Sequence, residues 1–94
     1  MIFKPEAAQD VLDAVAWYES QRQGTGARFS KSLDKAFQRI KLMPEVPRIL
    51  SRNVRRVLMT GFPFAVYYRI DEGEIVVLAV IHSRRDPRLW KSRV

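Results

Sequence analysis

The chain has 94 residues, 17 Lys or Arg against 10 Asp or Glu, and no cysteine. That length fits one small domain spanning residues 1–94, and the missing thiols exclude disulfides, thiolate metal sites and cysteine nucleophiles. The longest apolar run, Ile75 to Ile81, is far short of the roughly 20 residues of a spanning helix, so no membrane association is expected.

In chain order, Ile2-Phe3 reads as a short strand ended by Pro5, a residue suited to the first turn of a helix. Ala8, Val11, Leu12, Val15 and Tyr18 recur every three or four residues and predict an amphipathic helix from about Pro5 to Arg22. Gln23 to Gly26 breaks it, with Thr25 expected as the cap of the next helix. That second helix, about Gly26 to Leu42, carries the apolar stripe Phe29, Leu33, Ala36, Phe37 and Ile40 and ends before Pro44 and Pro47. Its basic stripe Arg28, Lys31, Lys35 and Arg39 is expected to face solvent. The period then changes. Asn53 to Met59 alternates loosely. Phe62 to Ile70 alternates well, with Phe62, Phe64, Val66, Tyr68 and Ile70 on one face. Asp71 to Glu74 is a turn, and Ile75 to Ile81 reads as a central strand covered on both faces. Asp86-Pro87 is expected to open a last helical turn, with Asp86 as cap, that folds Leu89 and Trp90 back onto the sheet. The expectation is an α+β fold: a helical hairpin on one face of a three-stranded antiparallel meander, with Ile2-Phe3 as a fourth strand at the edge.

The net charge of +7 is uneven. Residues 1–47 hold 7 basic and 6 acidic side chains, and residues 48–94 hold 10 and 4. Twelve of the cations are Arg, whose planar fork suits phosphate or carboxylate recognition, so the partners that fit are nucleic acid or an acidic protein segment, the competing reading being a solvated basic face. The N-terminus Met1–Glu6 lacks the apolar run of a signal peptide, and a cytoplasmic location is expected. With one histidine and no phosphate-binding glycine loop, no metal and no cofactor is expected. The carboxylate pairs Asp10 with Asp13 and Asp71 with Glu72 read as solvated.

What remains is an Arg-rich set with one imidazole: Arg55, Arg56, Arg69, His82, Arg84 and Arg85, all on or just after the meander. A metal-free ribonuclease needs a base, an acid and cations on the phosphorane. His82 offers the first or second and the arginines the third. The competing reading is that His82 ends a buried strand and bonds to backbone or to Asp86, and that Trp90 caps the core or an interface.

Taken together, Phe3-Lys4-Pro5-Glu6-Ala7, a helical hairpin ending near Met43-Pro44, Arg55-Arg56 leading into Gly61-Phe62-Pro63-Phe64-Ala65-Val66-Tyr67-Tyr68, and the tail His82-Ser83-Arg84-Arg85-Asp86-Pro87-Arg88-Leu89-Trp90 resemble the RelE/ParE toxin superfamily of plasmid-stabilisation proteins. The resemblance covers nearly the whole chain. It implies a β-α-α-β-β-β toxin of a type II toxin-antitoxin system. Its partner would be a small antitoxin whose acidic, flexible tail wraps the toxin as a helix in a groove plus an added strand, and whose complex meets operator DNA through the antitoxin. Val11, Val15, Tyr18, Phe29, Arg55 and Arg56 are the expected antitoxin contacts.

Two targets divide the superfamily. RelE-like members cleave ribosome-bound mRNA, and by resemblance His82, Arg84, Arg55 and Arg56 would be the catalytic set here. ParE-like members poison DNA gyrase, with Arg69, Arg84, Arg85, Arg88 and Trp90 as expected target contacts. In this chain Phe64 stands at the position of a second catalytic Arg and Trp90 at that of the terminal Tyr. Phe64 cannot bind phosphate, and Trp90 has no hydroxyl. The gyrase branch is therefore favoured, with the ribonuclease and a non-toxic nucleic-acid-binding module as alternatives.

Overall fold

A computed structural model describes every residue except Asp86, so the expected Asp86 cap lies outside the described residues. The elements are β1 (Ile2–Phe3), α1 (Pro5–Gln21), α2 (Thr25–Leu42), β2 (Arg55–Leu58), β3 (Phe64–Asp71), β4 (Glu74–His82) and α3 (Arg88–Lys91). The sheet order is β1-β4-β3-β2. β2, β3 and β4 form the antiparallel meander, and β1 lies parallel to β4 at the edge, with Ile2 opposite Val76 and Phe3 opposite Val77. This is the expected α+β architecture.

The helical hairpin covers one face. Phe29, Leu33, Ala36 and Ile40 of α2 pack with Ala7 and Ala14 of α1 against Val66, Tyr68, Val77 and Val80. The opposite face buries Ala65, Tyr67, Val76, Leu78, Ala79 and Ile81 beneath Val54 and Trp90, so β4 is covered on both sides. Period-two alternation would put Leu78 and Ala79 on opposite faces, yet both face this second core. A bulge reconciles them: Tyr67 pairs with Ala79 and Tyr68 with Val77, leaving Leu78 as the extra residue.

Two expectations need correction. Thr25 is the first residue of α2 rather than its cap; Gly24 holds that position at φ 89°. The capping acceptor is the Glu19 carboxylate of the preceding helix, which takes the N–H groups of Gly24 (3.0 Å) and Gly26 (3.0 Å). Leu12, read as part of the buried stripe, is 64% exposed. Seventeen residues of α1 rest on one sheet and one helix, and Ala7, Ala14, Val11, Val15 and Tyr18 already fill that contact.

The tight turns have local causes. Glu72 (φ 49°) and Gly73 (φ 82°) both take left-handed backbone, the requirement of the two-residue turn whose twist matches a hairpin. Arg52 and Asn53 do the same between Ser51 and Val54.

Candidate functional site

Trp90 and Arg93 hold the tail after β4 against the rest of the fold. Trp90 of α3 stacks on Tyr67 of β3 at 5.4 Å and 19°, with both rings buried. Arg93 reaches Asp10 of α1 with an N–O distance of 2.6 Å and also donates to the Leu78 carbonyl at 3.1 Å. The same Asp10 oxygen accepts the Val80 N–H at 3.0 Å. Beyond β1 the outer edge of β4 has no strand neighbour among the described residues, and this ion pair takes one donor and one acceptor there. Asp10 is thus a nearly buried, paired carboxylate rather than a solvated one. Asp71, also read as solvated, pairs with Arg69 at 2.6 Å.

Between α1 and this tail lies a groove of about 770 Å³, with Trp17 and Asp13 of α1 on one wall and His82, Arg84, Arg85 and Leu89 on the other. Trp17 is 58% exposed, an unusual position for so large an apolar ring. Phe64 lies at one end, within an aromatic cluster with Tyr18, Phe29 and Phe62 at centroid distances of 4.9–5.9 Å. The His82 ring packs on Phe64 at 6.0 Å, and its Nδ1 accepts the Arg84 N–H at 3.1 Å. The backbone alternative for His82 is the one seen.

Arg55 and Arg56, adjacent in sequence, point to opposite faces of β2. Arg55 donates to the carbonyls of Glu45 (2.6 Å) and Pro47 (2.7 Å), tying down the segment after α2 beside Tyr68. The Tyr68 hydroxyl donates to the Pro44 carbonyl at 2.8 Å. Burial raises the Tyr68 pKa above its ordinary value, partly offset by the Arg55 charge. Burial raises that of Tyr18 as well. Arg56 lies on the other face, where it donates to the Tyr67 hydroxyl at 3.4 Å.

Of the sequence-derived catalytic set, His82 and Arg84 therefore share a groove. Arg56 lines a different one, and Arg55 is spent on two carbonyls. Of the expected target contacts, Arg84, Arg85 and Arg88 lie in the exposed tail. Arg69 sits toward the far end of β3, bound to Asp71. Trp90 is 4% exposed, a core residue rather than a surface contact. Of the expected antitoxin contacts, Phe29 is fully buried and Val11, Val15 and Tyr18 pack into the hairpin core. The large apolar residues that α1 does expose are Leu12 and Trp17. The available signal was Trp17 itself, an aromatic one position off the apolar stripe.

A family model described as the ParE toxin of the type II toxin-antitoxin system parDE matches residues 1–87. Comparison with curated proteins gives no match. Among solved structures the chain is similar to one from the chromosomal ParDE TA system of P. aeruginosa, with a TM-score of 0.69 and 17% identity over 85% of this chain and 90% of that one. At that identity the likeness shows the fold.

Proposed function

The chain belongs to the ParE toxin family of type II toxin-antitoxin systems, and from that premise we propose that it arrests growth in the cytoplasm by binding DNA gyrase, and that a cognate antitoxin neutralises it. The observation that carries the gyrase reading over RNA cleavage is the dispersal of the cleavage chemistry. The one imidazole, His82, lies in the groove beside α1, whereas Arg55 is locked on the Glu45 and Pro47 carbonyls and Arg56 is on the opposite face of β2. Acid-base transfer needs its groups within hydrogen-bond reach of one substrate, and these groups do not converge. Trp90, at the position of the terminal Tyr, has no hydroxyl and is buried on Tyr67. The exposed arginines of the tail then serve as a protein-binding surface.

The antitoxin reading rests on the groove beside α1. Trp17 offers an apolar anchor, and Arg84 and Arg85 supply positive charge on the opposite wall. An acidic, flexible segment suits that combination. Operator DNA is reached through the antitoxin.

A DNA supercoiling assay with gyrase and toxin freed from its antitoxin tests the target. The expected result is inhibition that added antitoxin reverses and that persists in the His82→Gln protein. No inhibition at high toxin excess, together with cleaved mRNA in arrested cells, would replace gyrase by the ribosome.

A further inference from the structure

On the sheet face opposite the helical hairpin, a second groove of about 250 Å³ opens between the segment before β2 and the start of α3. Its volume is below the roughly 300–1,000 Å³ of a pocket for a whole small molecule. It is sized for a group, and its chemistry selects which one. Three cations line it: Arg56 of β2, Arg85 of the tail and Lys91 of α3. No acidic side chain is among its described lining residues, and none of the three cations has an ion-pair partner among the described residues. Ser51 and Ser83 add hydroxyls. The Tyr67 hydroxyl accepts from Arg56 at 3.4 Å, which leaves its own proton to donate. The floor is the buried Tyr67–Trp90 stack, with Lys91 5.7 Å from the Trp90 ring centroid. An apolar floor lowers the local dielectric and strengthens charge recognition above it.

We infer that this groove binds the phosphates of a nucleic-acid strand. Three cations and hydroxyl donors, with no carboxylate among the described lining residues, select an oxyanion, and Arg forks suit phosphate. Arg85 also lines the groove beside α1, next to Arg84 and His82. The positive charge is therefore a track across two grooves rather than a single spot, which a chain of phosphates matches and a lone anion does not. Within this groove the Trp90 ring is stacked on Tyr67 and buried, so the contacts the groove offers a strand come from the cations and hydroxyls. Binding is to the backbone and independent of sequence. This site shares Arg85 with the proposed protein-binding surface, while Arg56 and Lys91 belong to it alone, and strand binding is read out without gyrase.

The test is fluorescence anisotropy of the full-length toxin with labelled single strands of about twelve nucleotides, in two unrelated sequences, across a salt series. Arg56→Gln with Lys91→Gln should weaken binding at least tenfold for both sequences. Loss of two phosphate contacts should flatten the log–log salt dependence by about 1.4, at roughly 0.7 per contact for single strands. Lys31→Gln with Lys35→Gln, which removes the same charge from the exposed side of α2, should change affinity less than twofold. Arg85→Gln with Lys91→Gln is the second groove pair, used if the first fails to fold by circular dichroism. Equal weakening by the groove and α2 pairs would reduce the effect to net charge and overturn the site. Full displacement of the strand by inorganic phosphate at matched phosphate concentration would overturn the strand in favour of a free anion. Absence of binding would overturn both.

Discussion

Removing Asp10 tests the idea that one carboxylate joins the first helix, the open edge of β4 and the tail. In Asp10→Ala the Val80 N–H loses its acceptor, and Arg93 keeps only the Leu78 carbonyl. An orphaned buried N–H costs about 1–3 kcal/mol, and breaking a buried ion pair costs about 3–5 kcal/mol when the pair is fully enclosed. Here Asp10 and Arg93 side chains are 15% and 13% exposed, so the lower end applies and the single change should cost about 3 kcal/mol. At this chain length that lowers Tm by roughly 12–24 °C. Arg93→Ala leaves the Val80 bond intact and should cost about 2 kcal/mol. If the two act as a unit, the double variant should cost about 3 kcal/mol, not the roughly 5 of independent sites, a coupling near 2 kcal/mol. Chemical denaturation of all four proteins reads this cycle. A coupling below about 0.5 kcal/mol would refute the argument and make the contact an incidental surface pair.

Glu19→Ala should destabilise by about 1–2 kcal/mol in the same denaturation assay, because the start of α2 loses the acceptor of two N–H groups; an unchanged midpoint would contradict the cap. Trp17→Ala should weaken antitoxin binding by tenfold or more, about 1.4 kcal/mol, while leaving the thermal midpoint within a few degrees because the ring is mostly exposed; titration calorimetry and a melt separate the two effects. Tyr18 and Tyr68 should ionise above the ordinary 10.0 because burial disfavours the phenolate. The native state then holds these protons more tightly than the unfolded chain does, so the associated stability is complete below about pH 10 and is lost as pH rises through the native values. Alkaline ultraviolet titration with parallel melts checks the sign, and ionisation of Tyr18 and Tyr68 at the ordinary 10.0 would refute it.

The hairpin and the meander were legible because each rests on one repeated period. Phe29, Leu33, Ala36 and Ile40 recur on one side of α2, and Phe64, Val66 and Tyr68 on one side of β3. The sheet's fourth strand was legible from Pro5, which ends β1 and begins α1. Exposure was less legible. Leu12 and Val11 satisfy the same helical spacing, and only the width of the contact beneath α1 decides that Val11 packs and Leu12 does not. The site was harder still. Nothing in the order Arg55-Arg56 says which guanidinium meets the Pro47 carbonyl and which meets Tyr67; that follows from the strand's facing once β2 is paired. Asp10 looked like any acid in an early helical turn. Its partner is Arg93, 83 residues away, a separation that no local pattern registers.

The parallel pairing of β1 with β4, and the bond from Asp10 to Arg93, have a consequence for the order in which this toxin is made. These two contacts join the chain's first ten residues to its last twenty. A nascent chain that has reached only Asp71 has the segments of α1, α2, β1, β2 and β3, yet lacks β4, the strand on which α1 rests and with which β1 and β3 pair. Such non-local closure delays folding until the distant partner arrives. A translation product interrupted before Glu74 is therefore not a smaller toxin but an unfolded peptide, open to degradation, and the harmful surface comes into being only as synthesis nears its end.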